Sequence, residues 1–217
     1  MKRYLLPLLL ISCSDSPKQQ TEASKAVETA ASEAAASENN TLPATNELTL
    51  GALKLKEGST GSVKLFDDKG TAIDSIVLAD ESEPRIAPWA IKTDYGLLVF
   101  RVIAQDNEFY KVIADEEKKR ISFIKKNDPL MEFQEWDQHI LKTFSIEFDE
   151  KKNPVKEKPE ENAAAVKFEA NEDRLFHPVS ISGDWLQLST EEKSGEKKGW
   201  ISWKQGNRIL IEWFYLS

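Results

Sequence analysis

The distribution of large apolar side chains divides this chain of 217 residues into a part that can build a core and a part that cannot. All six tryptophans and all ten phenylalanines follow residue 45, whereas the stretch 14–45 has only Val27 and Leu42 as larger apolar side chains. Because burial of apolar surface stabilises a core, this Ala-, Ser-, Glu-, Thr- and Asn-rich stretch predicts a mobile spacer. The remaining residues, about 170, suffice for one domain or two small ones.

The first residues have the organisation of a leader peptide. Lys2 and Arg3 precede an apolar segment at 4–11, which ends in Leu10-Ile11-Ser12-Cys13. A membrane-spanning segment and a buried strand are the alternatives, but eight apolar residues are too few to cross a bilayer, which takes about twenty in a helix. The segment also leads directly into the polar spacer, which suits a leader better than a fold.

Leu10-Ile11-Ser12-Cys13 resembles the lipobox of bacterial lipoproteins. The resemblance implies a signal peptide at 1–12, cleavage before Cys13, fatty acyl groups such as palmitate on Cys13, and a disordered tether at 13–45. Ser14, rather than aspartate, follows the cysteine, which in this family favours the outer membrane, with the folded part facing the periplasm. The expected partner of Cys13 is therefore the membrane itself.

Charge and cysteine content exclude several classes of function. The formal net charge is −8, and loss of Lys2 and Arg3 with the leader would make it more negative. Acidic and basic residues are interspersed at 116–120 and 191–193, so no concentrated basic surface for nucleic acid is expected. Cys13 is the only cysteine, which excludes an intramolecular disulfide and a cysteine cluster for a metal.

From residue 46 onward, short alternating runs bounded by Gly, Asn and Asp predict a mainly β fold. The predicted strands are 54–55, 61–66, 73–78, 96–103, 108–113, 120–124, 144–148, 166–169, 175–181, 184–189, 199–203 and 209–216. One helix is predicted over 130–142, because Phe133, Trp136, Ile140 and Leu141 fall near one helical face and Pro129 stands close to its start.

Two tryptophan-bearing strands near the end of the chain form a specific motif. Asp184-Trp185-Leu186-Gln187-Leu188, a polar hairpin, and Gly199-Trp200-Ile201-Ser202-Trp203 resemble bacterial SH3 modules, in which an Asp-Trp strand pairs with a Gly-Trp strand. Asn153-Pro154-Val155 is similar to the early strand and loop of that family. The resemblance covers 143–217 and implies a small SH3-like β-barrel there.

A fainter copy of the same motif precedes it. It consists of Asn107-Glu108-Phe109-Tyr110-Lys111-Val112, a charged hairpin and 120–125, which repeat the order of 184–188 and 199–204. One interpretation is a second, degenerate SH3-like barrel at 46–129, which the helix at 130–142 joins to the SH3-like barrel at 143–217. The other is a single β-domain with an N-terminal extension.

The histidines and carboxylates do not form a recognisable catalytic motif. His139 and His177 are the only histidines, and neither belongs to an HExxH motif, has a second histidine four residues away or forms part of a carboxylate-histidine ladder. The sequence contains no GxSxG turn and no phosphate-binding loop, and the lone cysteine belongs to the anchor. We therefore predict that the protein is not an enzyme, has no cofactor and binds no metal.

Ligand binding remains as the class of function, and the resemblance implies which residues contact the ligand. In SH3-like modules, aromatic residues on the exposed barrel face contact short peptides, including those of peptidoglycan, which makes Trp185, Trp200 and Trp203 the candidate ligand-binding residues. Since strand side chains alternate, Ile201 and Trp203 face away from Trp200, so we expect at least one tryptophan in the core. The predicted function is a tethered envelope lipoprotein that binds a peptide, a cell-wall fragment or a protein partner. The alternative is an inhibitor or immunity-type lipoprotein acting on a basic wall-lytic enzyme.

Overall fold

A computed structural model describes residues 42–78, 85–171 and 173–215, and these residues form a mainly β fold, as predicted. The predicted signal peptide, Cys13 and the tether up to residue 41 lie outside the described residues. No helix in the described part of the chain is long and apolar enough to span a membrane.

The strands divide into two consecutive sets, which we call the first half and the second half. The first half contains β1 Gly51–Leu55, β2 Ser62–Phe66, β3 Ala72–Val77, β4 Ala90–Lys92, β5 Leu97–Gln105, β6 Phe109–Asp115, β7 Arg120–Lys125 and β8 Met131–Gln134, with a 3-10 helix at Thr93–Tyr95. After helix α1, Trp136–Ile140, the second half contains β9 Ser145–Glu147, β10 His177–Ser182, β11 Trp185–Glu192, β12 Gly195–Ser202, β13 Lys204–Gln205, β14 Arg208–Ile209 and β15 Glu212–Phe214.

The two halves follow the same antiparallel path. In the first half the neighbours run β3-β2-β7-β6-β5-β1-β8, with β4 added beside β5. In the second half, Ala165 bridges to Lys156 and Lys156 to Trp200 of β12, and the order continues β11-β10. A bridge between Phe176 and Ile146 then leads into β9, which pairs with β15. Seven neighbouring segments therefore recur in one order.

The residue pairing recurs as well as the order. Val102 pairs with Val112, and Pro178 with Leu188, and in both halves a bulge follows the first residue of that pair. The residues at matching positions are Leu53 and Ile146, Phe66 and Lys156, Phe100 and Phe176, Arg101 and His177, Phe109 and Trp185, Ser122 and Gly199, Phe123 and Trp200, and Phe133 and Trp213. No sheet among the described residues closes on itself, and the SH3-like barrels stay a prediction.

Strand β5 is shared by two cores. Leu98, Phe100 and Val102 pack into a cluster built entirely from the first half. Leu97 and Val99, on the opposite face, pack into a second cluster that consists mainly of residues from the second half. A strand buried on both faces needs an almost continuous apolar run, and this is what the sequence has at 97–103.

Arg101 interrupts that run and is fully buried. Its guanidinium makes a two-point ion pair with Glu116 at 2.7 and 2.8 Å, and Nη1 donates to the backbone oxygen of Ala44 at 2.8 Å. The guanidinium also lies 5.1 Å from the ring centroid of Trp89. Because the charge is paired and hydrogen-bonded, it is tolerated inside the fold and holds the segment at 43–47.

The predicted helix over 130–142 is wrong in its first part. Residues 131–134 form β8, which pairs with β1, and only 136–140 are helical. Met131 and Phe133 pack on the core of the first half while Glu132 is exposed, an alternation that suits a strand. Trp136 and Ile140, four residues apart, pack on the other core from the helix.

Two further differences concern short segments. The predicted strand at 166–169 is not a strand, although Val166 donates its backbone N–H to Val155 and packs on the core with Phe168. The three-residue strand β4 was not predicted, since it has no alternating run of its own.

Candidate functional site

A groove of about 900 Å³ lies beside Trp185 in the second half. Its walls come from the loop after β9, from the start of β11, and from the β12–β14 region. Among the groove residues, the ones used below are Asp149, Lys152, Asn153, Lys156, Asp184, Trp185, Lys204 and Arg208.

The β10–β11 turn places Trp185 at this groove. Gly183 has φ +60°, a left-handed conformation that suits glycine in a tight turn, and Trp185 begins β11 two residues later. Trp185 pairs with Ser202 of β12. Leu186 and Ile201, the next pair, point into the core, so Trp185 stands on the opposite face and is half-buried.

Asn153 fixes the loop that forms the facing wall. Its amide Nδ2 donates to the backbone oxygen of Ser202 at 2.6 Å, and the Ser202 N–H donates back to Oδ1 at 3.1 Å. A side chain that satisfies both backbone groups of one residue takes the place of a strand neighbour at the end of β12. The Asn-Pro motif in the sequence therefore has a structural role in shaping the groove.

Lys156 continues this wall as an extra strand position. Its N–H donates to Trp200 O at 2.7 Å, and the Trp200 N–H donates to Lys156 O at 2.8 Å. Val155, just before it, is buried against Gly199, where an added Cβ would lie 2.3 Å from Val155 Cγ1. Only a residue without a side chain at 199 lets the loop approach β12 so closely.

Charges of both signs surround the groove. Lys204 Nζ lies 3.3 Å from Asp184 Oδ1, and Lys152 Nζ lies 2.8 Å from Asp149 Oδ2. The hydrogen bond from Lys152, together with backbone N–H groups, lowers the pKa of the exposed Asp149 carboxyl. Arg208 adds a further cation, so the groove suits a polar ligand with an apolar group placed on Trp185.

The three tryptophans predicted as ligand-binding residues are not equivalent. Trp185 lines the groove, whereas Trp203 is 4% exposed and donates its indole N–H to Gly183 O at 3.0 Å. Trp203 therefore belongs to the core, as expected for at least one of the three. Trp200 is half-buried on the same face as Trp185 but is not a groove residue. A ligand-binding role for each of them stays a prediction.

His139 has a buried structural environment. Nδ1 lies 2.9 Å from Gln134 Oε1, and Nε2 lies 2.9 Å from the Tyr215 hydroxyl, which also accepts a bond from the Trp213 indole at 2.9 Å. Since an amide oxygen only accepts, the proton is on Nδ1 and Tyr215 donates to Nε2. Burial, with smaller contributions from Lys54 and Lys142, lowers the pKa of His139 to about 4, so the ring is neutral.

The other histidine and the acidic residues likewise show no metal-binding arrangement. His177 donates from Nδ1 to Phe144 O at 2.7 Å. Within 42–78, 85–171 and 173–215, no three His, Cys, Asp or Glu side chains lie together in a way that would hold a metal ion.

A second cavity, of about 830 Å³, lies where the two halves meet. Its apolar lining residues include Trp89, Leu97, Trp213, Phe214 and Tyr215. The sequence motifs did not point to this cavity, because its residues come from distant parts of the chain.

No protein-family model matches the chain, and no curated protein and no solved structure shows significant similarity to it.

Proposed function

We propose that the protein is a lipid-anchored, non-enzymatic component of a bacterial envelope that binds a peptide segment in the groove beside Trp185. The lipid on Cys13 attaches it to the outer membrane, and the stretch up to residue 41 serves as a tether that presents the folded part to the periplasm. The peptide belongs to the cell wall or to a protein partner.

The observation that carries the proposal is the open aromatic surface of Trp185 within a polar groove. A rigid indole with a half-buried ring offers a large contact area at low entropic cost. The wall opposite is held by Asn153 and by the paired backbone of Lys156 and Trp200, so the groove exists before a ligand arrives. Preformed sites with an aromatic anchor and a polar rim are typical of peptide-binding modules.

Binding is favoured over catalysis by the state of the buried polar groups. Both ring nitrogens of His139 are engaged in hydrogen bonds inside the fold, away from the groove. At the rim of the groove, Asp184 is paired with Lys204 and Asp149 with Lys152.

The proposal is tested by retention of the full-length protein, purified in detergent, on insoluble peptidoglycan and on a detergent-solubilised envelope extract. Trp185→Ala should abolish retention on one of the two, because it removes the apolar contact of the groove. Tyr95→Ala is the matched control, since it removes an aromatic ring that is 68% exposed and lies in the first half. Retention that is unaffected by Trp185→Ala would refute the groove as the binding site.

The anchor has its own test. Cells expressing the wild type should incorporate labelled palmitate into the protein and retain it in the membrane fraction, and Cys13→Ser should lose both properties. Equal labelling of the two proteins would contradict lipidation at Cys13.

The net charge of −8 favours a second candidate, inhibition of a basic wall-lytic enzyme. This function predicts that a basic hydrolase is recovered from the envelope extract and that its activity falls on addition of the protein. Retention on peptidoglycan without such a hydrolase would favour the first proposal.

A further inference from the structure

The first half shows what fills the position that is open beside Trp185 in the second half. Phe109 stands where Trp185 stands, since the β6–β7 and β11–β12 pairings match residue by residue. Phe66 of β2 pairs with Phe123, and Lys156 pairs with Trp200, so Phe66 and Lys156 also correspond. The groove of the second half can therefore be compared, position by position, with the same place in the first half.

In the first half the groove position is occupied from within the chain. The Phe66 ring lies 5.6 Å from the Phe109 ring in an edge-to-face arrangement and is only 8% exposed. Lys125 Nζ lies 5.2 Å from the centroid of the Phe66 ring. An aromatic ring in this place is thus compatible with the common backbone path and makes a favourable ring contact.

In the second half the same backbone position carries Lys156. A lysine stem is narrow and its ammonium group remains solvated, so it does not cover the neighbouring aromatic ring as a phenyl group does. Lys156 and Trp185 both line the 900 Å³ groove. The second half therefore retains the aromatic platform but lacks the ring that covers it.

We infer that the groove receives an aromatic side chain of an extended peptide, which packs edge-on against Trp185 as Phe66 packs against Phe109. This inference rests on the proposed function, namely that the groove binds a peptide, and it specifies the class of side chain that the peptide must carry. The peptide backbone lies along the wall formed by 153–156, and the rim charges of Asp184 and Lys204 contact its polar groups.

The experiment selects binders from a library of random linear peptides displayed on phage, using the full-length protein in detergent micelles. Peptides that require Trp185 are identified by loss of binding to Trp185→Ala, and each is then synthesised with single alanine replacements. We expect one aromatic residue to be common to these peptides and its replacement to weaken binding about tenfold or more.

Two variants of the protein test the position itself. Lys156→Phe introduces the ring that the first half has, and it should weaken the selected peptides about tenfold by filling the place beside Trp185. Lys193→Phe adds the same ring at an exposed lysine of the β11–β12 turn, outside the groove, and should leave affinity within about threefold. Circular dichroism of both variants shows whether they fold like the wild type.

The outcomes separate the inference from the function beneath it. Peptides that require Trp185 but contain no aromatic residue, or that bind Lys156→Phe as tightly as the wild type, would overturn the inference and leave peptide binding intact. Failure to select any peptide that requires Trp185 would overturn both.

Discussion

The two halves share a strand path but differ in one groove. Both bring a segment back against a later strand: in the first half a segment between β1 and β5 pairs with β7 at Phe123, and in the second half a segment between β9 and β10 pairs with β12 at Trp200. In the first half this segment is the β2–β3 hairpin and it carries Phe66 over Phe109, whereas in the second it is a loop that carries Lys156 beside Trp185. The backbone path permits a site, and the side chain at one register position determines whether it is open.

The halves also differ at β5 and β10, which occupy the same place in the two paths. Arg101 of β5 is fully buried and ion-paired, while His177, at the matching position of β10, is half-buried and makes a single backbone hydrogen bond. The difference follows from the surroundings, because both faces of β5 are covered by a core and β10 is half-exposed along most of its length. The matching strand is therefore more completely buried in the first half than in the second.

The largest effect is expected at this matched pair of positions. Glu116→Ala leaves the Arg101 guanidinium buried without its carboxylate, which should lower the free energy of unfolding by about 3–5 kcal/mol. His177→Ala removes one hydrogen bond and should cost about 1 kcal/mol. Urea denaturation followed by tryptophan fluorescence measures both values. Equal losses would show that the two positions are not energetically different.

The connection between the halves should give an acid-dependent loss of stability. His139 joins Gln134 of β8 to Tyr215, which follows β15, and its pKa of about 4 in the folded chain lies below its ordinary 6.5. Between these values the unfolded chain binds a proton that the folded chain does not. The free energy of unfolding therefore falls as the pH falls from 6.5 to 4, by about 3 kcal/mol in all.

Chemical denaturation at a series of pH values, compared with His139→Gln, isolates this contribution. Glutamine retains hydrogen-bonding groups but does not titrate, so the difference in stability between wild type and variant should narrow as the pH decreases. A difference that is constant from pH 6.5 to 4 would contradict the assignment.

The smallest effects concern Ser122 and Gly199, which match in the two hairpins. Gly199→Ala places a Cβ against Val155 and should destabilise the fold by about 1–3 kcal/mol through overpacking. Ser122 Oγ is buried and has no hydrogen-bond partner among the described residues, so Ser122→Ala should be neutral or stabilise by about 1 kcal/mol. In thermal melts, Gly199→Ala should lower the melting temperature, whereas Ser122→Ala should raise it or leave it unchanged. A larger loss for Ser122→Ala would contradict the comparison.

The sequence predicted the hairpins well because the alternation of apolar and polar side chains that indicates them lies within each strand. The alternating runs at 108–113 and 120–124, and at 184–189 and 199–203, correspond to β6–β7 and β11–β12. The segment 130–142 was harder, since Phe133 and Trp136 fit a helical face although the first belongs to a strand and the second to a helix. Contact with β1, far away in the chain, decided between the two.

Only part of the candidate site could be predicted, because the rest depends on pairing between segments that are far apart in the chain. The Asp-Trp motif identified Trp185, and the Asn-Pro motif identified the loop held by Asn153. The importance of Lys156 was not visible, because it depends on its register with Trp200 and on the match with Phe66 in another half of the chain. Strand alternation, by contrast, predicted that at least one of the three tryptophans belongs to the core, and the structure shows that Trp203 does.

The sharing of β5 between two cores has a consequence for the order of folding. The cluster around Leu98 and Phe100 draws only on residues up to 133, so it can assemble without the second half. The other face of β5, with Leu97 and Val99, is covered completely only when residues as late as Trp213 have packed on it. A chain in which only the first cluster has formed exposes this apolar face, and such partly folded species are prone to aggregation.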